Sequence, residues 1–132
     1  MTEVDGLTRT AGLGIDLVEP ERVERALARW GERFLAKLMS PEEIAALPAG
    51  RRLDAIADAI AVKEAASKAI GTGWSRGVRW RDVVVAHHAG GASARLEAQA
   101  LAFAHRLGSP GALEVKVARR DGHVLATVRL LA

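Results

Sequence analysis

Leu13, Ile15 and Leu17 alternate with Gly12, Gly14 and Asp16, the two-residue period of a strand with one apolar face, and Asp16 lies on the other. Pro20 suits the first position of a helix, and Val23, Leu27, Trp30, Phe34 and Leu38 then recur at helical spacing, with Trp30 read as core. Ser40-Pro41-Glu42-Glu43 is a capping box that opens a second, short helix. A longer helix is predicted from about Leu53 to Ile70, closed by Gly71. Ile56, Ala57, Ala59, Ile60, Ala61, Ala65, Ala66 and Ala69 make it apolar over much of its circumference, so it should be largely buried. Gly71, Gly73 and Gly77 mark a loop bracketed by Trp74 and Trp80.

Asp82 to His88 reads as a strand, and Ser93 to Leu107 as a helix ended by Gly108-Ser109-Pro110-Gly111. Leu113 to Arg119 and His123 to Leu131 alternate cleanly around Asp121-Gly122, a hairpin signal. The predicted order is β-α-α-α-β-α-β-β, an α+β domain over residues 12–132 behind a disordered lead-in of residues 1–11.

Composition narrows the setting. With 132 residues the chain makes one domain, large enough for a real core and small enough to gain from oligomerisation. No cysteine is present, which excludes disulfides and thiolate metal sites and fits a reducing compartment. The first ten residues lack the apolar core of a signal peptide, and the hydrophobic runs are short and broken by charge. No membrane association and a cytoplasmic location are therefore expected. A formal net charge of +3 suits an acidic partner or a phosphorylated ligand, whereas 4% aromatic content and no recognised motif argue against nucleic acid.

Chemistry enters with a pair of acids. Asp16 stands on a glycine-flanked strand, and Glu64 lies in the most apolar helix, where a carboxylate calls for a cation or a hydrogen-bond network. Two hard oxygen ligands that leave coordination positions open suit Mg²⁺ shared with substrate phosphates. Lys63 adjoins Glu64, and Lys68, four residues on, shares its helix face, so spacing alone is also satisfied by a plain Glu64–Lys68 surface pair.

Gly12-Leu13-Gly14-Ile15-Asp16-Leu17-Val18-Glu19 resembles the opening strand of holo-acyl-carrier-protein synthases, members of the 4′-phosphopantetheinyl transferase superfamily. Ala61-Val62-Lys63-Glu64-Ala65-Ala66-Ser67-Lys68-Ala69-Ile70-Gly71-Thr72-Gly73 is similar to their second signature, KEAxxKAxGTG, and Arg33-Phe34 with Ser40-Pro41-Glu42-Glu43 matches the stretch between. The resemblance runs from Gly12 to Leu131 and implies the small transferase fold, an antiparallel sheet on a long buried helix. It implies Mg²⁺ on Asp16 and Glu64, with Glu64 and Lys68 catalytic, and coenzyme A as substrate. Lys63, Lys68, Gly71, Arg119 and Arg120 would contact coenzyme A, and Arg22, Arg25, Arg29 and Arg33 an acidic acyl carrier protein. By the same resemblance the chain would form a homotrimer with active sites between subunits, and 4′-phosphopantetheine would pass to a carrier serine as 3′,5′-ADP leaves.

Three stretches depart from the family pattern. Ala59 stands where an arginine is usual, Gly90-Gly91-Ala92-Ser93 replaces a G-x-P motif, and Lys116-Val117-Ala118-Arg119 replaces S-x-S/T-H. Two readings follow. Arg119 and Arg120 take over coenzyme A binding, or the domain is a repurposed or inactive homologue that binds a carrier protein or acts on a carrier-bound intermediate.

Overall fold

The computed structural model describes residues 9–132. Its elements are β1 (Thr10–Val18), α1 (Pro20–Trp30), α2 (Glu32–Leu38), α3 (Pro41–Ala45), α4 (Arg52–Ala69), β2 (Val83–His88), β3 (Gly91–Leu96), α5 (Ala98–Arg106), β4 (Leu113–Arg120) and β5 (His123–Leu131). An antiparallel sheet in the order β1-β5-β4 covers α4, and β2 and β3 form a separate hairpin. This is the expected α+β arrangement of a sheet on a buried central helix. Of the expected lead-in, residues 1–8 lie outside the described residues, whereas Thr10 and Ala11 already belong to β1.

The helix is central because its side chains are small. Ala55, Ala57, Ala59, Ala61, Ala65 and Ala66 are fully buried, and Ile56 and Val62 beside them complete an apolar surface on nearly every side. Such a helix cannot rest at a water boundary. β1 meets it backbone to backbone: a Cβ added at Gly12 would come 1.9 Å from the Ala69 carbonyl oxygen, and one at Gly14 1.8 Å from that of Ala65. Only glycine permits that approach. The face of β1 turned to α4 is therefore Gly12, Gly14, Asp16 and Val18. The apolar face points out instead, with Leu13, Ile15 and Leu17 at 56%, 51% and 59% exposure beside exposed Leu125 of β5.

Two departures from the predicted element order have local causes. The single helix expected after Pro20 is two, because Gly31 at φ 62° ends α1 and starts α2 at a new angle. Trp30 falls at this break and is exposed rather than core. Ser93 to Leu96 is strand, not helix: Val84 pairs with Arg95 and His87 with Ala92, so β3 completes a hairpin and α5 begins only at Ala98. Pairing with β2 outweighs the helix preference of an alanine-rich stretch. The Ser40–Glu43 capping box forms as expected, and Asp121 and Gly122 turn with positive φ between β4 and β5.

Candidate active site

β1 delivers Asp16 to the flank of α4, and α4 delivers Lys68 to meet it. Lys68 Nζ lies 2.9 Å from Asp16 Oδ1 and donates also to the Ile15 carbonyl at 3.1 Å. Glu64 projects one helical turn before Lys68, partly buried, and no described residue pairs with its carboxylate. The plain Glu64–Lys68 surface pair does not form; Lys68 is taken by the strand acid. Two carboxylates and an ammonium therefore gather on one side of α4, beside the glycine strand.

Beyond Lys68 the helix unwinds through glycine. Gly71 N–H donates to the Lys68 carbonyl, and Gly73 N–H reaches back to Ser67. A Cβ at Gly71 would meet nothing within 4 Å, so the backbone there is open to a ligand. Trp74 and Trp80, which bracket the following loop, stack with ring centroids 4.2 Å apart.

Lys63 does not reach this site. Its side chain is fully buried and faces the opposite way, with Nζ 2.9 Å from Glu43 Oε2 and donating to the Trp80 and Val83 carbonyls. All three ammonium protons are used, so the expected contact with coenzyme A has no donor left to make it. Burial pulls the Lys63 pKa below its ordinary value, and Glu43 opposes that pull. Glu43 is held in turn by the Ser40 and Val85 N–H groups, each at 3.0 Å. The lysine next to the signature glutamate is thus part of a buried polar knot joining α3, α4 and β2.

The arginines form two groups. Arg22, Arg25, Arg29 and Arg33 are exposed along α1 and the start of α2, and no carboxylate pairs with any of them among the described residues. Arg29 lies over the Trp30 ring, 4.9 Å from its centroid, and Trp30, Arg33, Phe34 and Lys37 line a cavity of about 210 Å³. At the far end of β4, Arg119 bonds Asp58, while Arg120 is exposed and pairs with no carboxylate among the described residues.

The two acids suit a divalent cation of one kind. Among the described residues no cluster of three or more His, Cys, Asp or Glu could cage a metal. Two carboxylates without further protein donors fit Mg²⁺, which keeps waters and takes substrate oxygens, rather than an all-protein site.

Residues 12–128 match the model of the 4′-phosphopantetheinyl transferase superfamily. The chain belongs to that family. A holo-acyl-carrier-protein synthase of Solidesulfovibrio magneticus is 48% identical over 99 residues, covering 74% of this chain and 80% of the relative. One from Desulfovibrio desulfuricans is 48% identical over 98 residues, covering 74% and 78%. The crystal structure of the Neisseria meningitidis holo-acyl-carrier-protein synthase superposes with a TM-score of 0.80 at 28% identity, over 94% of this chain and all of that one. The Helicobacter pylori synthase, crystallised in complex with coenzyme A, shares the fold with a TM-score of 0.74 at 24% identity, over 91% and 99%.

Within this transferase domain the sequence reading missed Asp58 and Arg51. Asp58 is buried on α4, and Arg51 Nη2 sits 3.0 Å from its Oδ2. An aspartate between Ala57 and Ala59 on an apolar helix carried the same signal as Glu64, a carboxylate needing a cation, but its partners come from a preceding turn and from β4.

Proposed function

We propose that the chain transfers 4′-phosphopantetheine from coenzyme A to a serine of an acyl carrier protein. The observation that carries this reading is the Lys68–Asp16 ion pair on the flank of α4, one helical turn from Glu64, within the two family signatures. Asp16 and Glu64 would hold Mg²⁺, which when bound neutralises charge on pyrophosphate oxygens. Lys68 spends one N–H on Asp16 and one on the Ile15 carbonyl, which leaves its third for a phosphate oxygen. The open backbone at Gly71 lets the same phosphates approach the end of α4.

In the reaction the carrier serine Oγ bonds to the β-phosphorus as the bond from that phosphorus to the bridging oxygen breaks. The hydroxyl proton passes to solvent water, and 3′,5′-ADP leaves with the electron pair of the broken bond. Positioning and charge stabilisation do most of the work in such transfers. The four arginines of α1 and α2, which pair with no carboxylate among the described residues, would steer an acidic carrier surface, a contribution mainly to encounter rate and orientation.

Assembly is part of the proposal. Leu13, Ile15, Leu17 and Leu125 form an exposed apolar face on the sheet, the kind of surface that self-association covers. A homotrimer with sites between subunits is the arrangement we assign to it, in a cytoplasmic setting. Among the described residues no helix is long and apolar enough to cross a membrane.

The test is mass spectrometry of an apo acyl carrier protein incubated with this protein, coenzyme A and Mg²⁺. Transfer predicts the gain of one phosphopantetheine on a serine. Carrier binding without that gain would overturn the reading in favour of a repurposed homologue.

A further inference from the structure

The hairpin of β2 and β3 shares no strand pairing with the main sheet. Polar contacts pin its base: Val85 N–H donates to Glu43 Oε2 at 3.0 Å, and the Val83 carbonyl accepts from Lys63 Nζ. Beyond Val85 such ties stop. Among the described residues, the hydrogen bonds of residues 86–94 stay within the hairpin, as between His88 Nε2 and Ser93 Oγ at 2.7 Å. The distal half rests on the body through the packing of Ala92 and Ala94 and the inward side chain of His87.

His87 lies on the same strand face as buried Val83 and Val85. Both its ring nitrogens are buried with no hydrogen-bond partner among the described residues. A neutral ring is tolerated there, whereas an imidazolium would hold two N–H donors and a charge with nothing to receive them. Burial lowers the proton affinity of the ring; Asp58 of α4 and Glu43 of α3 oppose that, while Arg51, before α4, and His88 assist it. Neither carboxylate stands free. Asp58 is held by Arg51 and Arg119, and Glu43 by Lys63 and the N–H groups of Ser40 and Val85. β3 sets only the uncharged Ala92 opposite the ring. A protonated His87 therefore finds its best solvation in water, and the untied distal half is the part able to carry it there.

We propose that residues 86–93 are an acid-operated flap, opened when His87 takes up a proton while Glu43 and Lys63 keep the hairpin base in place. His88, Gly90, Gly91 and Ala92 of the flap face Val115 and Val117 across a cavity of about 620 Å³, so opening reshapes that cavity. The flap does not rest on the transfer proposed above. Its sign follows from linkage. In the open flap His87 titrates as a free histidine, near pH 6.5, and in the closed flap only at lower pH. Above about pH 7 the ring is neutral in both. Below about pH 6.5 the open form takes the proton first, and opening rises by up to about tenfold per pH unit until the closed ring titrates as well.

Amide hydrogen exchange of the full chain, followed by NMR and expressed as protection factors, tests this. Between pH 7 and 5.5 the protection of the flap amides should fall by about threefold or more. At pH 5.5 their exchange should be insensitive to low urea, the mark of a local opening, while that of β5 rises with urea. His87→Gln, neutral at every pH, should hold flap protection within about twofold over the same range, and His88→Gln should leave the wild-type fall intact. Should His87→Gln fail to fold, the pH and urea dependence of wild type decide alone. Flap protection that is constant with pH, or that matches β5 in size and urea dependence, overturns the flap. So does a fall that persists in His87→Gln or vanishes in His88→Gln.

Discussion

Lys68 Nζ sits 2.9 Å from Asp16 Oδ1, joining residues 52 apart in the chain. The ammonium occupies one carboxylate oxygen of the pair proposed to hold Mg²⁺, so lysine and metal would share a ligand. In calorimetric titration, coenzyme A or 3′,5′-ADP should strengthen Mg²⁺ binding, and Asp16→Asn or Glu64→Gln should remove that synergy. Lys68→Met should instead raise Mg²⁺ affinity in the absence of nucleotide by about threefold, because a competing cation has gone. It should also weaken the synergy. Intact synergy in both acid variants would reduce Asp16 and Glu64 to structural residues.

The contact of β1 with α4 makes a graded prediction about glycine. Gly14→Ala puts a methyl group 1.8 Å from a backbone oxygen that cannot swing aside. It should cost about 3 kcal/mol or more in chemical denaturation. Gly71→Ala meets no atom but must hold φ 83°, for about 1–2 kcal/mol. Gly50→Ala has neither problem and should be near neutral. A Gly14→Ala variant as stable as Gly50→Ala would contradict the close packing of strand on helix.

Glu43 and Lys63 are buried partners, so removing one leaves the other's charge uncompensated. Glu43→Gln should destabilise the fold by about 3–5 kcal/mol. Lys63→Met, which leaves Glu43 uncompensated and the Trp80 and Val83 carbonyls without their donor, should cost a similar amount. If Lys63→Met instead abolished coenzyme A binding in a fully folded protein, the assignment of Lys63 to the core would fail.

His87 gives stability a pH dependence. Both ring nitrogens are buried without a hydrogen-bond partner among the described residues, and burial lowers the pKa from 6.5, with Asp58 opposing and Arg51 assisting. Above about pH 6.5 the ring is neutral in folded and unfolded chains alike, and its contribution is complete. As pH falls below that value the unfolded chain takes up the proton first, so stability declines toward the lower folded pKa. Denaturation of His87→Leu between pH 7 and 5 should show a shallower decline than wild type. Parallel curves would place the pH dependence elsewhere.

Much of this was legible along the chain, and the rest fails for physical reasons. Asp16, Glu64 and Lys68 stand out because each is a charge in an apolar or glycine-rich setting, and their signatures lie in register. Periodicity gave α4, β4 and β5 to within a residue or so, since each has a long, regular pattern. The burial of Lys63 is not legible because its partner Glu43 lies 20 residues away on another helix, information absent from local spacing. The strand at Ser93 to Leu96 is not legible because short alanine-containing runs take the form their neighbour imposes. The exposure of Trp30 is hidden because nothing in a hydrophobic stripe reveals that Gly31 will break it.

β1 alternates duties residue by residue. Gly12, Gly14 and Asp16 serve the helix and its chemistry, while Leu13, Ile15 and Leu17 present the outer face. A shift of one residue in this strand would exchange the two sets completely, turning Asp16 outward and driving isoleucine or leucine into a gap that accepts no Cβ. The strand therefore tolerates no single-residue insertion or deletion between Gly12 and Asp16. Such an event would lose the Asp16–Lys68 contact, the fit to α4 and the outer apolar face in one stroke. In this strand, reading frame in the structural sense is as strict as it is in a gene.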